Sequence, residues 1–322
     1  MKRVVLTGAT GFVGANLTRR LLSEGHEVHL LLRAKHNDWR IRSIMNDVNI
    51  HIVDLNNAET LSSTLSSIRP EWIFHLAAYG AYSSQTNLQQ MADTNLVATA
   101  NLVDVCVKVG FDAFINTGSS SEYGYKDHAP SEDEWIEPNS SYAVTKAAST
   151  HYCRFIAQSK NVNLATVRLY SVFGPYEEPG RLIPTLIIEG LQGKLPPLVN
   201  PTIARDYVFV DDISEAYLTL ASNPGGISTK VYNLGSGTQL SLREVVEVAC
   251  QLLPIRAKPF WGSMPARQWD TSIWVADHSK ITSDLGWKPV FSFIDGFQQT
   301  VSWFLSHADI LTFYKSDREA RL

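Results

Sequence analysis

The chain has 322 residues, 44% of them hydrophobic and 19% charged, with a formal net charge of −4. That length suits one large α/β unit or two lobes, and the charge balance carries neither a basic run for nucleic acid nor an acidic tail. No apolar run approaches the ~20 residues of a membrane span, and the separated Cys106, Cys153 and Cys250 fit neither a disulfide framework nor a CxxC metal site, so no membrane, nucleic acid or metal is expected and a reducing cytoplasm fits.

The N-terminal apolar run, Val4 to Leu6, is too short for a signal-peptide core and reads as a first strand. Gly8, Gly11 and Gly14 follow at intervals of three, and an amphipathic helix runs from about Phe12 to Ser23. Strand, glycine turn and helix together make a phosphate-binding motif. The glycines permit close backbone approach to a pyrophosphate, and the helix start at Phe12 and Val13 offers free N–H groups to the anion.

A second strand spans Glu27 to Leu32 and ends at Arg33. No carboxylate stands there to take a ribose 2′-hydroxyl, whereas an arginine pairs with a 2′-phosphate, so NADP is expected ahead of NAD. A polar connection or short helix covers about Lys35 to Asn46. A third strand, Val48 to Val53, leads into Asp54 and Leu55, and helix signals occupy Ala58 to Ser67. The fourth strand begins at Trp72 and runs into Leu76, Ala77 and Ala78, small enough at its end for the chain to pass close to a cofactor. One long helix is expected from about Gln85 to Val109, with Asn95 near its middle, and a fifth strand from Ala113 to Asn116. Strands alternating with helices predict a doubly wound parallel α/β sheet with ligands at the carboxyl ends of its strands.

Strand five feeds the cluster Ser119, Ser120 and Ser121, followed by Glu122. A serine at that edge can hold a substrate hydroxyl or carbonyl. Tyr142 and Lys146 stand four apart, on one face if the segment is helical, and an ammonium beside a phenol lowers the phenol pKa towards neutrality. Such a pair means little alone; the glycine turn and the serine cluster give it a context.

Gly8-xx-Gly11-xx-Gly14, Asp54-Leu55, His75-Leu76-Ala77-Ala78, Ser119 and Tyr142-xxx-Lys146, in this order, resemble the extended short-chain dehydrogenase/reductase family. More narrowly, the chain is similar to the nucleotide-sugar epimerases, dehydratases and 4-ketoreductases, from residue 3 to about residue 305. The resemblance implies a Rossmann-type dinucleotide-binding domain over 1–170. It implies a smaller α/β lobe over 171–322 that is mainly substrate-binding, with about 203–220 returning to the first domain.

The resemblance also implies roles. Tyr142 is the acid/base on the sugar oxygen, Lys146 lowers its pKa and binds the nicotinamide ribose, and Ser119 bonds the same sugar oxygen. Asp54 and Leu55 meet the adenine, and Asn95 supports the site. Ser120, Ser121, Glu122 and Arg181 belong to the substrate pocket, and Arg205 and Arg267 clamp the diphosphate of a nucleotide-diphosphate sugar. Family members carry Asn where this chain has Ser171, so that phosphate contact departs from the pattern. The resemblance implies a homodimer; the helices around 85–109 and 141–159 have apolar faces that serve either such an interface or packing on the sheet.

Family dehydratases place Asp-Glu after the serine or threonine; here those positions are Ser120 and Ser121, and Glu122 comes one place later, on the other face of an extended chain. Dehydration is disfavoured. Arg33 and the run from Gly118 to Gly124 favour NADPH-dependent reduction of a nucleotide-linked 4-keto(6-deoxy)hexose. A nucleotide-sugar 4-epimerase with tightly bound NAD(P) is the alternative. A non-catalytic nucleotide-binding regulator is the third reading, opposed by the intact Ser119, Tyr142 and Lys146. Trp261 and Trp269 flank Arg267 and are expected to pack rather than to touch ligand. The chain after about Ala308 reads as a poorly specified tail.

Overall fold

The computed structural model describes residues 1–82, 84–264 and 271–321, Arg321 by its backbone only. Ten strands follow one another as β1 (Arg3–Thr7), β2 (Glu27–Leu32), β3 (Asn49–Ile52), β4 (Trp72–His75), β5 (Ala113–Ser119), β6 (Leu164–Leu169), β7 (Ser171–Phe173), β8 (Ala204–Phe209), β9 (Val231–Leu234) and β10 (Gln239–Ser241). Twelve α-helices are interleaved: α1 (Phe12–Ser23), α2 (Ala58–Ile68), α3 (Leu88–Ala92), α4 (Ala98–Val109), α5 (Ser141–Lys160), α6 (Leu182–Gly190), α7 (Val210–Ser222), α8 (Pro224–Ile227), α9 (Leu242–Leu252), α10 (Ser279–Leu285), α11 (Phe293–Ser306) and α12 (Ala308–Arg321).

Seven strands make one sheet in the order β3-β2-β1-β4-β5-β6-β9, every pair parallel. The expected doubly wound Rossmann-type sheet is therefore present. Helices cover both faces, so the inner strands are apolar without alternation; Val4, Val5 and Leu6 have no exposure. Leu17 and Leu21 of α1 meet Tyr217 and Leu220 of α7 on one face. Leu61 and Leu65 of α2, Leu102 of α4 and Ile156 of α5 fill the other. The strand order reverses between β1 and β4, and a crevice for a ligand opens outside their carboxyl ends.

The second core gathers Phe173, Leu186, Ile187, Val245 and Phe297 around the three-stranded sheet β10-β8-β7. Two segments beyond residue 171 return to the first sheet: α7 packs on α1 and β5, and β9 pairs with β6. No described helix is long and apolar enough to cross a membrane.

Two helical segments differ from the sequence expectation. The helix over 85–109 is interrupted by a π turn at Asp93–Val97, which turns Asn95 inward. The tail is not poorly specified. It forms α12, whose Tyr314 is 1% exposed and stacks edge-on against Trp39 and Phe304. Its hydroxyl donates to the Glu177 carbonyl, and Arg318 pairs with Glu189 of α6 at 3.0 Å. These partners are remote in sequence, so local periodicity carries no trace of them.

Candidate active site

The glycine loop lies where β1 ends. Gly8 has φ +75°, and a Cβ on it would stand 2.5 Å from the Leu76 carbonyl carbon and 2.6 Å from Ala77 N. Gly14 is tighter: a Cβ there would be 2.2 Å from Gly8 O, which already accepts from Gly11 N at 3.0 Å. Helix α1 begins at Phe12 and Val13, with no side chain capping its first turn. The loop is thus a backbone cradle with exposed donor groups, the shape and polarity a pyrophosphate needs. Leu76, Ala77 and Ala78 leave the neighbouring strand β4 on the same edge.

That edge is held by a buried relay absent from the sequence reading. His75 Nδ1 lies 2.7 Å from Thr7 Oγ1, and its Nε2 lies 2.8 Å from Thr99 Oγ1. Thr7 Oγ1 also accepts from Ala77 N at 3.3 Å. Burial holds the imidazole down to about 3, with the charge of Lys146 adding to the effect, so His75 is neutral and structural.

Asp54 and Leu55 follow β3. Asp54 is exposed and caps Asn56 N at 2.9 Å, and the Leu55 carbonyl accepts from Asn101 at 3.2 Å. Arg33 stands exposed at the end of β2, with no ion-pair partner among the described residues.

Ser119 is the last residue of β5, so the strand runs three residues further than Asn116 and delivers the hydroxyl to the sheet edge. Its Oγ lies 2.7 Å from Ser121 Oγ. Ser120 is buried and Ser121 half-buried. Ser140 starts α5 by accepting from Ala143 N at 3.2 Å, which sets Tyr142 in the first turn and Lys146 one turn on. Asn95 then ties this helix to the loop after β4. It accepts from Tyr79 N at 2.9 Å and donates to Tyr79 O at 2.7 Å and to Thr145 Oγ1 at 2.9 Å.

The electrostatics depart from the simple pairing of phenol and ammonium. Burial pushes the Tyr142 phenol up to about 12. The neighbouring Ser119 hydroxyl opposes this, and Glu122 and Tyr82 reinforce it. Lys146 is 2% exposed, and burial pushes its ammonium down while Glu122 pulls it back up. No hydrogen bond to Lys146 Nζ is made by any described residue. Burial, the largest influence on each, thus acts against the charged form of both groups, and Lys146 is not among the groups that shift the phenol.

Glu122 was expected at the substrate. Instead it has no exposure. Its Oε1 accepts from Ser119 N at 2.9 Å and from Thr150 Oγ1 at 3.0 Å, and its Oε2 pairs with Arg168 Nε at 2.9 Å. The chain is not extended here: Ser120–Tyr123 form a 3-10 turn whose capping box, Ser119 with Glu122, directs the carboxylate into the interior, where it has the partners a buried charge requires.

On the second lobe, Ser171 begins β7 and is half-buried. Arg181 is exposed at the start of α6, with its Nε 3.7 Å from Glu177. Arg205 is half-buried on β8, donates to the Ala204 carbonyl at 2.7 Å and lies 5.5 Å from the Trp274 ring centroid. Arg267 and Trp269 lie outside the described residues. Arg40, which no motif marks, joins the two lobes beside the glycine loop. It donates to Thr10 O at 3.3 Å and Tyr176 O at 2.8 Å, and pairs with Glu178 at 2.8 Å.

The family model described as NAD dependent epimerase/dehydratase family matches residues 4–235. The dTDP-glucose 4,6-dehydratase of Neisseria meningitidis is 26% identical, across 95% of this chain and 94% of its own. The UDP-glucose 4-epimerase of Mycolicibacterium smegmatis is 28% identical, across 94% of this chain and 98% of its own. A solved structure of the UDP-glucuronic acid 4-epimerase from Bacillus cereus, in complex with UDP-glucuronic acid and NAD, matches with a TM-score of 0.83 at 25% identity, covering 93% of this chain and 98% of that one.

Proposed function

The chain belongs to the NAD dependent epimerase/dehydratase family, and from that premise we propose that it is a nucleotide-sugar 4-epimerase that retains NAD through its cycle. One observation carries the choice of reaction. The carboxylate that acts on the Tyr142 phenol, Glu122, is committed to Ser119 N, Thr150 and Arg168 and is not free to serve as the extra acid/base of an elimination.

NADPH-dependent reduction, expected from Arg33 and from the Gly118–Gly124 run, gives way to this alternative. The relatives above are epimerases and dehydratases, and the dinucleotide in the Bacillus cereus structure is NAD. An exposed Arg33 is equally consistent with a solvated strand-end cation.

The residues present fit the dinucleotide. The Gly8–Gly14 cradle and the start of α1 would hold its pyrophosphate, Asp54 and Leu55 its adenine end, and the buried Lys146 ammonium its nicotinamide ribose. When bound, NAD supplies the acceptor and donor of the electron pair at the sugar C4. Tyr142 Oη, as the phenolate, would take the proton of the C4 hydroxyl as that carbon becomes a ketone, and would return it after the sugar has presented its other face. Ser119 Oγ bonds the same oxygen through both states. Arg205, with Ser171 and Arg181 nearby in sequence to the second-lobe core, would receive the diphosphate and sugar.

Mixing the purified protein with UDP-glucose, UDP-glucuronic acid or dTDP-glucose, with no cofactor added, is expected to give C4 epimers by NMR and no 4-keto-6-deoxy product. Accumulation of that product would move the assignment to dehydration. Consumption of NADPH with a 4-keto sugar, without epimerisation, would restore reduction. Mass spectrometry of the nucleotide released by denaturation is expected to find NAD; NADP there would return Arg33 to a binding role.

The same reading includes a homodimer. Val144 and Phe155 on α5 are 53% and 61% exposed, three turns apart on one face, and Leu88 and Val97, at 59% and 44%, belong to α3 and the π turn, which pack on α5. Light scattering is expected to show a dimer, and Phe155→Glu a monomer. A monomeric parent protein would refute this.

A further inference from the structure

Glu122 is more than a carboxylate removed from the chemistry. It touches three elements at once: Ser119 at the end of β5, Thr150 one turn beyond Lys146 on α5, and Arg168 on β6. A second observation points to the same atoms. A Cβ on Gly118 would stand 2.7 Å from Glu122 Oε1, so the strand carries a glycine where this carboxylate packs. We propose that Glu122 is a positioning residue of the reaction: through Ser119 N and Thr150 it fixes Ser119 against the Tyr142–Lys146 helix and sets its own carboxylate on that helix. This rests on the epimerase reading only through the roles of Ser119, Tyr142 and Lys146.

The charge matters as well as the shape. Lys146 is almost wholly desolvated, which favours the neutral amine. The titratable groups acting with it are Glu122 from the turn after β5, Cys153 from its own helix and His75 from β4. Burial pushes the Cys153 thiol up to about 12 and the His75 imidazole down to about 3, so both are neutral near pH 7. Of these groups, Glu122 is the one that raises Lys146 most. Arg168 pairs with its other oxygen at 2.9 Å, giving the buried carboxylate a charged partner. Around Tyr142 the groups are Ser119, Glu122, Tyr82 from the loop after β4 and Arg181 from the start of α6. Removing the negative charge of Glu122 therefore lowers the titration of Lys146 and of Tyr142 together.

The test pairs two variants. In Glu122→Gln the amide oxygen can still accept from Ser119 N and Thr150, but the charge is gone. In ligand-free protein with ¹³C-labelled lysine, the resonance lost in Lys146→Met identifies the buried ammonium. Its midpoint is expected to move to lower pH in Glu122→Gln, and both limbs of the pH–kcat profile are expected to move the same way. A midpoint that stays put in the folded variant overturns the proposal. Glu122→Asp keeps the charge and the Arg168 partner, so it remains testable where the glutamine variant does not fold. There the midpoint is expected to stay and kcat to fall on the order of 10- to 100-fold as Ser119 shifts; unchanged kcat overturns the positioning role. The lysine titration needs no turnover. A parent protein inert on every nucleotide sugar therefore sinks the epimerase reading and leaves the titration to decide this one.

Discussion

Replacing Tyr142 with phenylalanine is expected to lower kcat for C4 epimerisation by about 10²–10⁴-fold while NAD stays bound. The phenylalanine keeps the ring that packs in the first turn of α5, and it leaves the serine cap and the Asn95–Thr145 bond intact. What disappears is the α5 hydroxyl that bonds Ser119. The cofactor cradle belongs to the ends of β1 and β4 and is untouched. Released nucleotide, measured by mass spectrometry, should equal that of the parent protein, and the loss should fall on kcat rather than on substrate KM. Turnover within a few-fold of the parent would remove Tyr142 from the chemistry. In the ligand-free chain the phenol is pushed up to about 12 by burial, so proton transfer near pH 7 depends on what the bound ligands change around it.

Gly14→Ala is expected to yield protein without NAD and with reduced stability. The new Cβ would meet Gly8 O at 2.2 Å, Gly8 C at 2.8 Å and Ala9 Cα at 3.0 Å. All three are backbone atoms of the turn itself, so no side chain can swing aside. The turn must open, and the start of α1 moves with it. Overpacking of this kind costs about 1–3 kcal/mol, seen as a lowered Tm. The loss of NAD follows because the cradle and the helix start no longer face one anion. Gly25→Ala is the control. Gly25 also has a positive φ, +75°, but nothing lies within 4 Å of its would-be Cβ. That variant should pay only the left-handed strain, about 1–2 kcal/mol, and retain NAD. Full NAD content in Gly14→Ala would show that the loop does not carry the pyrophosphate.

Much of the first domain was legible because its signals are local. Apolar runs of strand length, a glycine at every third position after β1 and a helix pattern behind it describe backbone geometry that neighbouring residues enforce. Tyr142 and Lys146 share a face for the same reason: four residues along a helix is one turn. Ser119 at the strand end needed only the length of β5.

The rest depended on partners far along the chain. Glu122 and Arg168 are 46 residues apart, and Arg40 and Tyr176 are 136 apart. The one-residue shift, and the Ser119-x-x-Glu122 spacing of a capping box, were legible in the sequence; that Glu122 also meets Arg168 and Thr150 in the interior was not. Tyr314 folds the tail into α12 because the aromatic rings of Trp39, Trp303 and Phe304 wait for it. Asn95 could be read as a residue in a helix, but its inward turn exists only because Tyr79 and Thr145 offer it partners.

By itself, then, the sequence determined the parallel α/β class, the glycine cradle and the spacing of the tyrosine and lysine, since each is written in residues within a turn or a strand of one another. Tertiary structure alone decided which partners bury Glu122, that both Tyr142 and Lys146 are desolvated against their charged forms, and that α12 packs on α6 and α11. Burial and ion pairing are set by the whole surrounding shell, and that shell is assembled from segments the sequence keeps apart.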